Sequence, residues 1–168
     1  MGNIYNININ EIKNNPTNSC VKNTLFYCSF SHLLPINIFR HKITVNQGTI
    51  LGKHRKLIPT GGERLIWAQG DGSTLHSYNT SSGKIAGLIC WENFMSLVRN
   101  ALYESGAQIL ATPTWDKSPN WLQSMQHTAR EGGVFVISTC MALNMNDIPE
   151  KYEFKKLYPE GREWINVG

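Results

Sequence analysis

Hydrophobic and polar positions follow two regimes along the chain, and the regular one begins at Gly83. "KIAGLIC", "QILATP" and "VFVISTC" are apolar, β-branched runs of strand length. Between the first two, Phe94, Leu97, Val98, Ala101 and Leu102 recur at i, i+3, i+4, i+7 and i+8, the spacing of one helical stripe, and Gly106 stands where a helix can end. Apolar run and stripe abut without a turn residue. The spacing therefore predicts that Cys90 closes the strand and that a helix runs from Trp91 to about Ser105. Between the second and third runs, "SPNWLQSMQHTAREGG" opens on a serine cap with proline at the first helical position. It carries apolar residues at Trp121, Leu122, Met125 and Ala129 and stops at Gly132 and Gly133. Strand, helix, strand, helix, strand at this pitch predicts an α/β layer of parallel strands joined by right-handed crossovers.

The first half is less regular. "NTLFYCS" and "GTILGKHRKL" read as strands, whereas "FSHLLPINIFRHKITVNQ" between them mixes apolar, basic and proline residues without a sustained period and predicts no element. Residues 1–22 are polar and rich in asparagine, the composition of a disordered N-terminus. No internal repeat is present.

A chain of 168 residues has room for one domain with a real core, and 41% hydrophobic with 17% charged residues is ordinary globular composition. The net charge of +4 is mild, and its densest run, "KHRK" at 53–56, is too short to specify nucleic acid. No run approaches the roughly 20 apolar residues of a membrane span, and the polar start lacks the layout of a signal peptide. A cytoplasmic protein without nucleic-acid or membrane partners is expected. Cys20, Cys28, Cys90 and Cys140 sit at unrelated spacings, with no CxxC pair and no Cys/His cluster, so reduced thiols and no metal are expected.

Cys90 differs from the other three by its place. Open α/β sheets bind ligands where strands end, and the positive end of a helix there favours the thiolate, the nucleophilic form. A free cysteine is equally at home as a small buried apolar residue. Position alone leaves both readings open.

The motifs narrow them. "LICWENF" resembles the nucleophile motif of the nitrilase branch of the carbon-nitrogen hydrolase family, and "GKHRKLIPTGGERLIW" is similar to that family's lysine motif followed by its second glutamate. "ATPTWD" and "QHTAREGGVFVIS" resemble downstream segments, and the likeness runs from about Gly48 to "EWINVG". Several ordered motifs at compatible spacing are more specific than any one of them. The resemblance implies part of an α-β-β-α sandwich, with residues 23–168 as a partial domain of this type and 30–47 as an insertion.

It also implies roles. Cys90 matches the nucleophile, which attacks a nitrile carbon to give a thioimidate and then an acyl thioester that water cleaves. Lys56 matches the lysine that stabilises the negative charge of the tetrahedral species, a role suited to a compact ammonium. Glu63 matches the second glutamate, which positions the lysine and shares in proton transfer. Outside the motif, Lys56 reads as a solvated base and Glu63 as a surface or capping acid. Glu92 lies in the nucleophile motif and suits the start of a helix, with no proton-transfer role assigned to it. Trp115, after the next strand, lines a substrate pocket or packs in the core with equal weight. His54 and His127 fall in matching segments without a catalytic role and read as structural or surface residues. The implied substrate is a small-molecule nitrile, with no metal or organic cofactor, and the implied assembly is a homo-oligomer. Cyanide hydratase or dihydratase and amidase are the neighbouring activities. An inactive fragment or scaffold subunit is the reading from another class.

One part of the pattern is missing. The family's general base is a first glutamate on a "PE" step after an early strand, and no such segment stands upstream of Glu63, where Glu11 is the only carboxylate. General acid-base catalysis contributes about 10²- to 10⁴-fold. The sequence thus predicts a nucleophile and a lysine with little turnover.

Overall fold

The computed structural model describes residues 4–6, 24–29 and 41–46 as backbone, and residues 49–140, 146, 149–153 and 156 with their surroundings. Glu11 and Cys20 lie outside the described residues. Among the described residues, eight strands form two sheets. The larger has the order β1-β8-β7-β6-β5, where β1 is Ile4–Asn6, β5 Tyr78–Thr80, β6 Gly83–Gly87, β7 Ile109–Thr114 and β8 Phe135–Cys140. Strands β6, β7, β8 and β1 pair in parallel, and β5 closes the other edge as an antiparallel hairpin partner of β6. The three runs read as strands from the sequence are thus the parallel centre of this sheet. Their near-continuous apolar character fits burial on both faces: Ile85 and Ala86 of β6, and Leu110 and Ala111 of β7, are all buried.

Two helices cover one face of that sheet: α1, Ser96–Glu104, and α2, Pro119–Gly132. Leu102 from α1 and Trp121, Met125 and Ala129 from α2 pack on Ala86, Leu88, Leu110 and Val136 in one core cluster. Helix α2 follows its sequence signals closely. Ser118 Oγ accepts from Trp121 N, Pro119 opens the helix, and Gly133 at φ 60° ends it in the left-handed region that favours glycine.

Helix α1 does not follow them. Strand β6 ends at Gly87, and Cys90 begins a five-residue 3₁₀ turn, Cys90–Phe94, which is cut off by Met95 at ψ 94° before α1 starts at Ser96. Cys90 therefore does not close the strand, and the expected helix does not start directly after the thiol. The reason is local. Glu92 accepts from the backbone N–H groups of Ile89 and Leu57, and Asn93 Nδ2 donates to the carbonyls of Leu88 and Cys90. Of these groups, Cys90 O is the carbonyl that a helix starting at Trp91 would have paired in its own first turn, and a side chain takes it instead. The break also resets the helical phase. Leu102 is buried, but Leu97 of the predicted stripe is 84% exposed, and the side chain buried in its place is Arg99.

The smaller sheet is antiparallel, in the order β2-β3-β4, with β2 at Thr24–Ser29, β3 at His41–Asn46 and β4 at Thr49–Arg55. Both strands expected in the first half form. The third lies inside 30–47, where periodicity predicted no element, and it pairs along its whole length with β2 and β4, with a register shift between Thr44 and Val45. Ile4–Asn6, within the stretch expected to be disordered, is paired with β8.

Candidate active site

Strand β4 carries "KHRK" toward the larger sheet. His54 and Lys56, two residues apart, are both buried. Burying an ammonium is costly without a partner. Lys56 Nζ has one in Glu63, whose Oε2 is 2.5 Å away, and it also donates to Thr60 Oγ1 at 2.9 Å. Glu63 lies in a short 3₁₀ turn, Gly61–Leu65, and the same Oε2 accepts from Thr60 N at 2.8 Å. Lys56 and Glu63, seven positions apart, thus form one unit whose geometry is set by the turn between them.

Cys90 sits on a sharp turn. It is the one non-glycine residue with positive φ, 54°, among the described residues. That backbone conformation costs of order 1–3 kcal/mol and persists only when its surroundings fix it. Asn93 supplies part of the fixation, donating to Cys90 O at 2.7 Å and Leu88 O at 3.1 Å, while Arg99 Nη1 holds Asn93 O at 2.6 Å. The thiol is nearly buried, and Thr114 Oγ1 at the end of β7 lies 3.4 Å from Sγ.

Glu92 joins the two halves. It is 2% exposed, and its carboxylate accepts from Leu57 N at 2.5 Å, Ile89 N at 2.6 Å and His54 Nε2 at 3.2 Å. His54 Nδ1 in turn meets Thr74 Oγ1 at 3.2 Å. One side chain therefore pins the residue after Lys56 to the residue before Cys90. The sequence placed Glu92 only as an acid suited to a helix start. Its role as a clamp between two sheets depends on a contact between residues 35 positions apart, Leu57 and Glu92. His54 is structural, as expected.

Of the other candidates, Trp115 is half-buried directly after Thr114, and His127 is exposed on α2, 3.7 Å from Glu131. Asp116 follows, and its Oδ2 meets Trp91 Nε1 at 3.4 Å. Burial pushes the Asp116 carboxyl up, but hydrogen bonds from Ser118 and Trp91 outweigh it and hold the group below its ordinary range. A cleft of about 490 Å³ lined by Asn93, Phe94, Arg99, Asn120, His127 and Thr128 lies on the helical side of the turn. Cys90 is not among its lining residues, so that cleft is not a route to the thiol. Thr114 lies in "ATPTWD", which resembles a family segment, but the resemblance assigned it no role. Its position at the end of a strand beside the one that leads to Cys90 is the signal that could have singled it out.

The family model for carbon-nitrogen hydrolases matches residues 35–157. Nitrilase 2 of Arabidopsis thaliana is 51% identical over 108 residues, which are 64% of this chain and 32% of that protein. The bifunctional nitrilase/nitrile hydratase NIT4 of Oryza sativa is 51% identical over 107 residues, 64% of this chain and 30% of its own length. The chain thus spans about a third of these relatives. Among solved structures, the carbon-nitrogen hydrolase of Helicobacter pylori G27 superposes with a TM-score of 0.61 at 20% identity, covering 74% of this chain and 48% of that one. That likeness speaks for the fold.

Proposed function

Since the chain belongs to the carbon-nitrogen hydrolase family, we propose that it carries the nucleophile and lysine of a nitrilase-type site that takes a small-molecule nitrile and two waters to a carboxylic acid and ammonia. In this reading Cys90 Sγ adds to the nitrile carbon, and the nitrile nitrogen takes up a proton to give the thioimidate. Water then adds, the C–N bond breaks and ammonia leaves a thioester. A second water breaks the C–S bond, releasing the acid and restoring the thiol.

The observation that carries the proposal is the clamp made by Glu92, which ties the lysine strand to the cysteine turn. Lys56 stabilises charge developing on nitrogen and then on oxygen, and preorganised donors of this kind are worth about 3–4 kcal/mol when removed one at a time. Glu63 keeps the ammonium charged and aimed, and is placed to exchange a proton with it. Trp115 is proposed as a wall of the substrate site.

The test is release of ammonia and acid from a panel of small nitriles, compared with Cys90→Ala. Product lost in the variant supports the reading. Amide in place of acid would move the assignment to the hydratase activity that the rice relative's name includes, because it means that the C–N bond survives. Equal background in the two proteins would point to a subunit that packs without turning over.

A further inference from the structure

We propose that Thr114 is a further catalytic residue, whose hydroxyl donates a hydrogen bond to Cys90 Sγ and holds the sulfur in its thiolate form. The proposal rests on the reading of Cys90 as the nucleophile. Thr114 is 7% exposed at the last position of β7, with Oγ1 3.4 Å from Sγ. The same oxygen accepts the backbone N–H of Asp116 at 2.9 Å. That amide occupies a lone pair and polarises the O–H bond, leaving the hydroxyl proton directed at sulfur.

The turn that delivers the amide is fixed from both sides. Asp116 Oδ1 accepts from Ser118 N at 2.9 Å, and Oδ2 meets the indole N–H of Trp91, the residue after Cys90. By contrast Thr112, two residues earlier on the same strand, spends its hydroxyl on the carbonyl of Ile137 inside the sheet. Thr114 is the one threonine of β7 whose hydroxyl meets a sulfur.

The chemistry gives the contact two moments of use. It favours loss of the thiol proton before attack. It is weakened as the sulfur lone pair becomes the S–C bond, and is regained when water breaks that bond and the sulfur leaves with the electron pair. A hydrogen bond that raises the thiolate fraction also lowers the nucleophilicity of each thiolate, by somewhat less than half as much on a logarithmic scale.

Alkylation of the full chain by iodoacetamide reads this without any turnover, since the S–C bond forms as iodide departs. Rates at Cys90 are followed by mass spectrometry of its peptide in wild type, Thr114→Val and Thr114→Ser. At neutral pH the valine variant is expected to react about three- to tenfold more slowly, with serine within about twofold of wild type. In strongly alkaline buffer the valine variant is expected to match or exceed wild type, because both sulfurs are then ionised and the unbonded one is the better nucleophile. The other titratable groups on the elements around the turn are Glu92, His54, Lys56, Glu63 and Asp116. They are the same in every variant and leave the comparison intact.

If Thr114→Val does not fold, Thr114→Ala against Thr114→Ser isolates the same hydroxyl. Equal neutral-pH rates with and without the hydroxyl, in a protein whose Cys90 outpaces Cys140, would overturn this proposal alone. A serine variant as slow as valine would overturn it too, by showing a packing effect. A wild-type Cys90 no faster than Cys140 would overturn the nucleophile reading and this proposal with it.

Discussion

At the scale of single residues, the sequence singled out Cys90, Lys56 and Glu63 through their resemblance to short motifs, because such a resemblance names side chains without recording how they are held. What it could not show is the holding. Glu92 has three donors and almost no exposure. Leaving a buried donor without its acceptor costs about 1–3 kcal/mol. Glu92→Ala is accordingly expected to lower stability by about that much in urea unfolding. Glu92→Gln is also expected to destabilise, since its NH₂ group must face the N–H of Leu57 or Ile89, donor against donor. The strained backbone at Cys90 makes a second prediction. Glycine is normally the weaker choice, but at φ 54° it escapes the penalty of a Cβ, of order 1–2 kcal/mol. Cys90→Gly is expected to be at least as stable as Cys90→Ala in the same assay, and a clearly less stable glycine variant would show that the turn relaxes once the thiol is gone.

At the scale of elements, legibility followed how local the controlling interactions are. Helix α2 was readable because its caps are its own residues, and Ser118→Ala is expected to cost about 1 kcal/mol. The start of α1 was not, because partners from β4 and from the turn itself displaced it, and strand β3 was not, because its pairing rather than its periodicity makes it a strand. The two helices are stitched by Arg99 on α1, which meets Glu131 on α2 at 2.9 Å and 3.2 Å, with Tyr103 Oη adding a bond at 3.1 Å. The hydrogen bond from Arg99 holds the Glu131 carboxyl below its ordinary value of 4.5, while burial first, then Glu131, pushes the Tyr103 phenol up to about 12. A carboxyl lowered in the folded state adds stability that is complete above 4.5 and is lost as the pH falls through the lowered value. Glu131 is partly exposed, so the effect is modest. Glu131→Gln is expected to unfold at lower urea than wild type at neutral pH, with the gap closing in acid. A gap that stays constant would assign the loss to packing.

At the scale of the whole molecule, the parallel sheet and its helices were legible because each crossover is local in sequence, whereas the relation between the two sheets was not. That relation rests on contacts between residues far apart. Glu92 reaches β4, and the Tyr78 ring of β5 packs so closely on Gly52 of β4 that a Cβ there would lie inside it. Gly52→Ala is therefore expected to cost about 1–3 kcal/mol as the ring is forced aside. The chemistry meets the same boundary between local and distant. The proposed nucleophile, lysine and second glutamate lie within 35 consecutive residues, 56–90, but a general base for water has no counterpart in the motifs, and Glu11 is the only carboxylate upstream of Glu63. Attack by Cys90 and the two additions of water, to the thioimidate and to the thioester, place different demands on the site. The first needs a thiolate and Lys56, and the other two need a positioned base worth about 10²- to 10⁴-fold. We therefore expect this chain to be alkylated at Cys90 faster than at Cys140, yet to stall as the thioimidate with little ammonia released, visible as the whole mass of a reactive nitrile added to the Cys90 peptide. Sustained turnover that disappears in Cys90→Ala would mean that a group within these 168 residues already activates water, and the search for it would begin with Glu63, the acid that shares a proton path with Lys56.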